Sequence, residues 1–307
     1  MSSALIESEI DRPEVPEPPV VTDDPPVPVT IVEPDNAWSL IDFRELYAFR
    51  DLFRFLVWRN VKVMYAQSAL GIAWAVIQPL FSMVVFTIIF GKLAKIDSDG
   101  VPYAVFSFAA LVPWTYFANS LTEGTNSLVA NSNMISKVYF PRMILPLSAV
   151  MSKLVDFSIS MLVLFVLMAW YGVTPNWGVL ALPLLIGLMV LTAAGLGMWL
   201  TALAIQYRDV KYAMTFVVQI LMYAAPVVYS VTIFPETYTL GGVTVNPRLI
   251  YSLNPLVGVI EGFRSALLGT RGMPWTELAL GSFTALVVAA SGAMYFRRKE
   301  QIFADVA

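Results

Sequence analysis

The chain has 307 residues, of which 58% are hydrophobic and 13% charged, proportions far from those of a water-soluble domain. Nineteen Lys and Arg against 22 Asp and Glu leave a formal net charge of -3, which does not point to nucleic-acid binding. Cys and His are absent. Disulfides, thiolate or imidazole metal sites, Cys nucleophiles and His proton relays are therefore excluded, and no metal site is expected.

Residues 1–38 interleave Pro13, Pro16, Pro18, Pro19, Pro25, Pro26, Pro28 and Pro34 with acidic residues, a composition expected to form a disordered tail. The stretch has neither the basic start nor the apolar core of a signal peptide, so the first membrane span is expected to remain as the anchor. Residues 39–67 change character. Leu40, Phe43, Leu46, Phe53 and Leu56 recur at near-helical spacing, while Arg44, Arg50, Arg54, Arg59 and Lys62 punctuate the other positions. This pattern predicts an amphipathic helix in the membrane interface, with Arg59 and Lys62 placed to attract phosphate head groups.

Apolar blocks then predict six spans, at 70–90, 101–121, 143–171, 179–206, 212–229 and 275–296. Arg44, Arg50, Arg54, Arg59, Lys62, Lys137, Arg142, Arg208, Lys211, Arg297, Arg298 and Lys299 fall on one side. Lys92, Lys95, Arg248, Arg264 and Arg271 fall on the other. The imbalance places both termini in the cytosol. Between the last two spans, residues 243–270 hold apolar pieces too short to cross, broken at Asn254 and Pro255. They suggest re-entrant or interfacial helices that form an outer gate, or else a folded external loop.

No G-x-x-x-x-G-K-[ST] pattern occurs, so an ATP drive would have to come from another chain. Within the spans the clearest ionisable residues are Lys153 and Asp156, three apart on one helical face and about 16 to 21 Å in from Arg142. They read as a pair that neutralises itself, either structural or part of a polar transport seam. Tyr103, Phe106, Trp114 and Phe117 share one face of the second span; Tyr212, Phe216, Gln219 and Tyr223 share one face of the fifth. Such stripes suit a sugar path, because pyranose C–H faces pack on aromatic rings. Interfacial aromatic belts produce the same pattern. The connection 122–142, with Asn126, Ser127, Leu128, Val129, Asn131 and Met134, suits a short surface helix that a partner ATPase could grip.

The runs Leu70-Gly71-Ile72-Ala73-Trp74-Ala75-Val76-Ile77-Gln78-Pro79, Leu111-Val112-Pro113-Trp114, Lys137-Val138-Tyr139-Phe140-Pro141-Arg142, Gln206-Tyr207-Arg208-Asp209-Val210, Ser252-Leu253-Asn254-Pro255 and Glu261-Gly262-Phe263-Arg264 carry a family resemblance. In this order and on six spans they resemble the type-2 ABC exporter permeases of the O-antigen and teichoic-acid export groups, Wzm and TagG. The resemblance implies an all-α membrane fold of six helices per subunit and a transport subunit rather than an enzyme. It implies a bacterial inner-membrane homodimer bound to two copies of a nucleotide-binding ATPase, with ATP and Mg on that partner and none on this chain. The substrate implied is a polyprenyl-pyrophosphate-linked polysaccharide. Residues 125–136 would be the coupling helix, with Tyr207, Arg208 and Asp209 nearby. Asn254, Pro255, Glu261 and Arg264 would belong to the outer gate, and Trp74 and Phe81 would join the two aromatic stripes along a channel. An exporter of a small drug or lipid, or an ion-coupled carrier or membrane enzyme using Lys153 and Asp156, remains the alternative.

Overall fold

The computed structural model describes residues 43–66, 71, 73–235, 237–240 and 243–300. The acidic, Pro-rich tail expected at 1–38 and the ends of the interface segment, 39–42 and 67, lie outside the described residues.

The described chain is helical apart from one small hairpin. The expected interface segment forms two helices, α1 (Phe43–Ala48) and α2 (Arg50–Tyr65), separated at Phe49. In α2 no Gly or Pro interrupts the run, and Asp51 in its first turn and Lys62 in its last complement the helix dipole. Its buried residue, Leu56, enters an apolar cluster with Leu128, Ile144, Met198 and Phe296, so α2 is packed onto the membrane bundle.

Five helical segments among the described residues are long and apolar enough to cross a bilayer: Ala73–Leu93, Tyr103–Ala130, Ile144–Trp170, Trp177–Gln206 and Trp275–Glu300. The first is α3 (Ala73–Phe86), which continues as a π-helical stretch over Thr87–Leu93. The second, α4 (Tyr103–Ala130), is the central helix, buried along most of its length. It runs nine residues beyond the expected end at 121 because the sequence to Ala130 holds no Pro and only one Gly. A single turn, α5 (Ser132–Ile135), follows. The third span divides into α6 (Ile144–Ser152) and α7 (Leu154–Trp170), with the break at Lys153. The fourth is a 3-10 turn, Trp177–Ala181, leading into α8 (Leu182–Gln206). The last span is α12 (Trp275–Glu300).

The span expected at 212–229 takes a different form. Its helix, α9, covers Asp209–Tyr223, only 15 residues. Pro226 is the reason: it brings no N–H to the helix ladder and its ring disfavours helical backbone at Ala225. Residues 224–230 continue as turns. Beyond them lie a hairpin of β1 (Tyr238–Leu240) and β2 (Val243–Val245), paired antiparallel with Thr239 opposite Thr244, then α10 (Pro247–Tyr251) and α11 (Pro255–Leu268). All 14 residues of α11 are buried, and the helix packs against α4, α8 and α12.

Helices α8 and α12 approach most closely where Gly195 meets Gly292 and Ala289. A Cβ on Gly292 would stand 2.4 Å from the Gly195 carbonyl oxygen, and one on Gly195 would stand 2.7 Å from the Ala289 Cα. Only hydrogen on these two Cα atoms permits that distance.

Candidate translocation and coupling site

The turn after α9 leaves carbonyls that the helix no longer satisfies. Side chains from elsewhere take them up. Asn254 Nδ2 donates to the Ala224 carbonyl at 3.0 Å, Tyr229 Oη to Tyr223 at 2.8 Å and Tyr103 Oη to Val228 at 2.6 Å. Arg264, fully buried on α11, donates from Nη2 to Val227 at 2.9 Å and from Nη1 to Tyr229 at 3.0 Å. Its guanidinium also pairs with Glu261 at 2.9 Å and lies 3.6 Å from the centroid of the Phe106 ring. Glu261 in turn accepts from the Val231 N–H at 3.3 Å. Asn254 also caps α11 by accepting from the Leu256 N–H, and Pro255 occupies the first turn, where a missing N–H costs nothing. The four residues expected at the outer gate thus come together around one irregular turn.

A second cluster, on the side of the bundle expected to face outward, ties three connections together. Asp99 accepts from Ser230 Oγ at 2.7 Å and from Arg271 Nη2 at 3.3 Å, and Arg271 also reaches Ser230 Oγ at 3.0 Å. The cluster escaped sequence reading because its members lie 131 and 172 residues from Asp99. Tyr251, on α10, has its phenol pKa raised, first by burial and then by the Tyr229 hydroxyl 2.9 Å away.

The aromatic stripes separate into two environments. Tyr103, Phe106, Trp114 and Phe117 of α4 are buried in the core, and the Arg264 guanidinium lies over the Phe106 ring. The expectation that they line a channel is corrected: α4 is enclosed by its neighbours, so one shared helical face does not imply an open one. On α9, Tyr212, Phe216 and Tyr223 are 82%, 65% and 57% exposed, and Gln219 is exposed with them. On α3, Trp74 and Phe81 are exposed as well.

Lys153 and Asp156 do not pair with each other. Lys153 Nζ lies 3.6 Å from a Glu123 carboxylate oxygen of α4 and 3.2 Å from Met64 Sδ of α2, while Asp156 accepts a hydrogen bond from Tyr65 Oη. The break at Lys153 turns the two side chains toward different neighbours. A Lys inside a span calls for a carboxylate on an adjacent helix, the signal by which Glu123 could have been found. Tyr65 left no such signal. Its phenol pKa is raised by burial first and then by the Asp156 carboxylate.

On the side of the bundle expected to be cytosolic, the residues expected to couple divide similarly. Asn126, Ser127, Leu128 and Val129 belong to the last turns of α4, and Ser127 and Leu128 are buried, so a separate helix over 125–136 is not formed. Asn131 accepts from Arg59 Nη2 at 2.8 Å, which ties α2 to the end of α4 and occupies one of the two expected head-group cations. Lys62 rests over the Trp58 ring at 4.8 Å. Met134 is partly buried on α5. The most outward elements here are Lys137 to Tyr139, with Tyr139 83% exposed, and the exposed turn of Tyr207, Arg208 and Asp209 between α8 and α9. The next residues are anchored: the Arg142 N–H donates to the Glu300 carboxylate at 2.9 Å, and its guanidinium donates to the Glu300 carbonyl.

Comparison with known proteins matches residues 51–268 to the ABC-2 type transporter family, and the chain belongs to that family. It is 26% identical over 260 residues to the O-antigen export system permease protein RfbA of Myxococcus xanthus, covering 84% of this chain and 96% of that protein. It is 28% identical over 261 residues to the protein of the same name from Klebsiella pneumoniae, covering 83% and 95%. The polysialic acid transport protein KpsM of Escherichia coli is 20% identical over 252 residues, covering 79% and 91%. With five helices among the described residues long and apolar enough to cross a bilayer, the chain is a multi-pass membrane protein and a transport subunit.

Proposed function

We propose that this chain is the membrane subunit of an ABC exporter that carries a lipid-linked polysaccharide out of the cytoplasm across the inner membrane. Two copies form the pathway, and two copies of a separate ATPase, which binds ATP and Mg, supply the drive. Both termini are cytosolic. The observation that carries this reading is similarity over nine-tenths or more of the length of permeases named for O-antigen export and polysialic acid transport. The geometry is compatible with it. The outward aromatic faces of α3 and α9 offer rings at a subunit surface, where a second copy would close a path suited to sliding pyranose faces. Lys62 remains on the surface of α2 as a point of attraction for a carrier phosphate. Residues 137–139 and 207–209 form the contact with the ATPase, and α10 with α11 forms the outer gate around Glu261 and Arg264.

For nucleotide to drive movement, the ATPase must bind the open and closed permease with different affinity. The direct test is to co-express the chain with the ATPase encoded beside it and follow polymer at the cell surface. A complex of two permeases with two ATPases, and loss of surface polymer when the ATPase is disabled, are expected. Absence of a complex together with unchanged export would refute the reading.

A further inference from the structure

A polar cleft lies between α2 and α3 on one side and α4, α6 and α7 on the other, in two lobes that meet at Met64 and Lys153. The lobe toward α6 holds about 490 Å³, within the range of ordinary small-molecule sites, and the lobe toward α3 about 210 Å³; both open to the surface. Its walls are unusually rich in neutral polar groups for the interior of a membrane bundle. The side chains of Thr115 and Asn119, partly buried, and of Gln78, exposed at its mouth, line it without a hydrogen bond to any described residue. Ser127, 7% exposed, also lines it, and its hydroxyl is buried with no partner. A buried hydroxyl left unpaired, as at Ser127, is costly and persists where something else completes it, and the partly exposed amides and hydroxyl beside it are free to meet a ligand.

The charges lining the cleft balance. Arg59 and Lys153 are offset by Glu123 and Asp156, and Arg59 and Lys153 are already engaged with Asn131 and Glu123. A phosphate or pyrophosphate would need a surplus of free cations, and the described residues of the cleft supply none. Side-chain amides and hydroxyls both donate and accept, which matches the hydroxyls of a sugar, and Trp74 supplies a ring for a pyranose face.

We propose that this cleft binds neutral sugar units, one site within each subunit and separate from the exposed face of α9. The inference rests on the polysaccharide-export reading and names a place where the sugar is held before or during passage.

The absence of native cysteine makes the test clean. Asn119→Cys and Ser127→Cys, with Tyr223→Cys on α9 and Thr239→Cys on the hairpin, are labelled with a water-soluble maleimide in membranes open on both sides. The membranes come from cells that make the polymer and from cells lacking its first glycosyltransferase. Labelling at 119 and 127 is expected to slow about tenfold where polymer is made, the factor for nine-tenths occupancy, with Thr239→Cys unchanged. If polymer protects Tyr223→Cys but neither cleft position, the cleft proposal falls while polysaccharide export stands. If it protects none of the three, both fall. Failure of both cleft positions to label in either membrane would show a cleft closed to water and would overturn the proposal. So would protection by inorganic pyrophosphate alone in polymer-free membranes. Should Asn119→Cys fail to accumulate, Ser127→Cys carries the same measurement.

Discussion

Arg264 holds the largest share of the polar organisation around the turn after α9. It satisfies two carbonyls of the turn after α9, faces Phe106 of α4 and neutralises Glu261. Replacing it by Ala leaves Glu261 buried without its cation and two carbonyls without donors, a loss expected to be about 3 to 5 kcal/mol. Arg264→Lys restores the charge but not the planar fork, so it should recover only part of that stability. Thermal midpoints of the purified protein in detergent check both; an Arg264→Ala midpoint equal to the parent would refute the role. The Glu261 and Arg264 positions were legible in the sequence as a motif, but their partners were not. Val227 and Tyr229 are backbone groups, and no pattern of side chains announces which carbonyls a broken helix will release.

The close crossing of α8 and α12 is an element-scale feature. Gly195→Ala or Gly292→Ala places a methyl group against backbone that has no flexible end to move, and the two helices must separate. A cost of about 1 to 3 kcal/mol is expected for each. Gly187, in the same helix α8, has open space where its Cβ would be, so Gly187→Ala should be neutral or stabilise by up to about 1 kcal/mol through helix propensity. Melting the three variants side by side separates crowding from propensity, and equal effects at 187 and 292 would contradict the close approach. At this scale the spans were readable from apolar length, within a few residues at most ends. The short α9 was missed although Pro226 stood in plain view, because an apolar run of sufficient length outweighed a single helix breaker. The four α4 aromatics were misplaced for a related reason: periodicity identifies a face, and only the assembled bundle decides what covers it.

For the whole molecule, the predictions concern coupling and passage. Tyr139→Ala and Tyr207→Ala remove the large exposed side chains of the two outward connections and touch little of the core. Each is expected to lower export several-fold with unchanged protein level, because truncating a central aromatic at an interface typically costs about 2 kcal/mol or more of binding. Pull-down of the ATPase and surface polymer are the paired readouts; normal retention of the ATPase by the double variant would exclude these residues from the contact. Along α9, Tyr212→Ala, Phe216→Ala and Tyr223→Ala should slow polymer export, and Phe216→Trp should obstruct it while sparing efflux of small dyes. Equal losses of both would favour a small-molecule exporter.

The complete burial of α11 has a consequence for how the protein is made. Its 14 residues are too few to be taken up by the insertion machinery as an independent span, and its arginine would resist entry into lipid. The helix can settle only into a cradle already assembled from α4, α8 and the turn after α9, all synthesised before it, and α12 then closes over it. A nascent chain released before α12 emerges would therefore hold a half-seated helix, apolar but carrying Glu261 and Arg264, at the membrane surface, a form that quality-control proteases can recognise before any transport has begun.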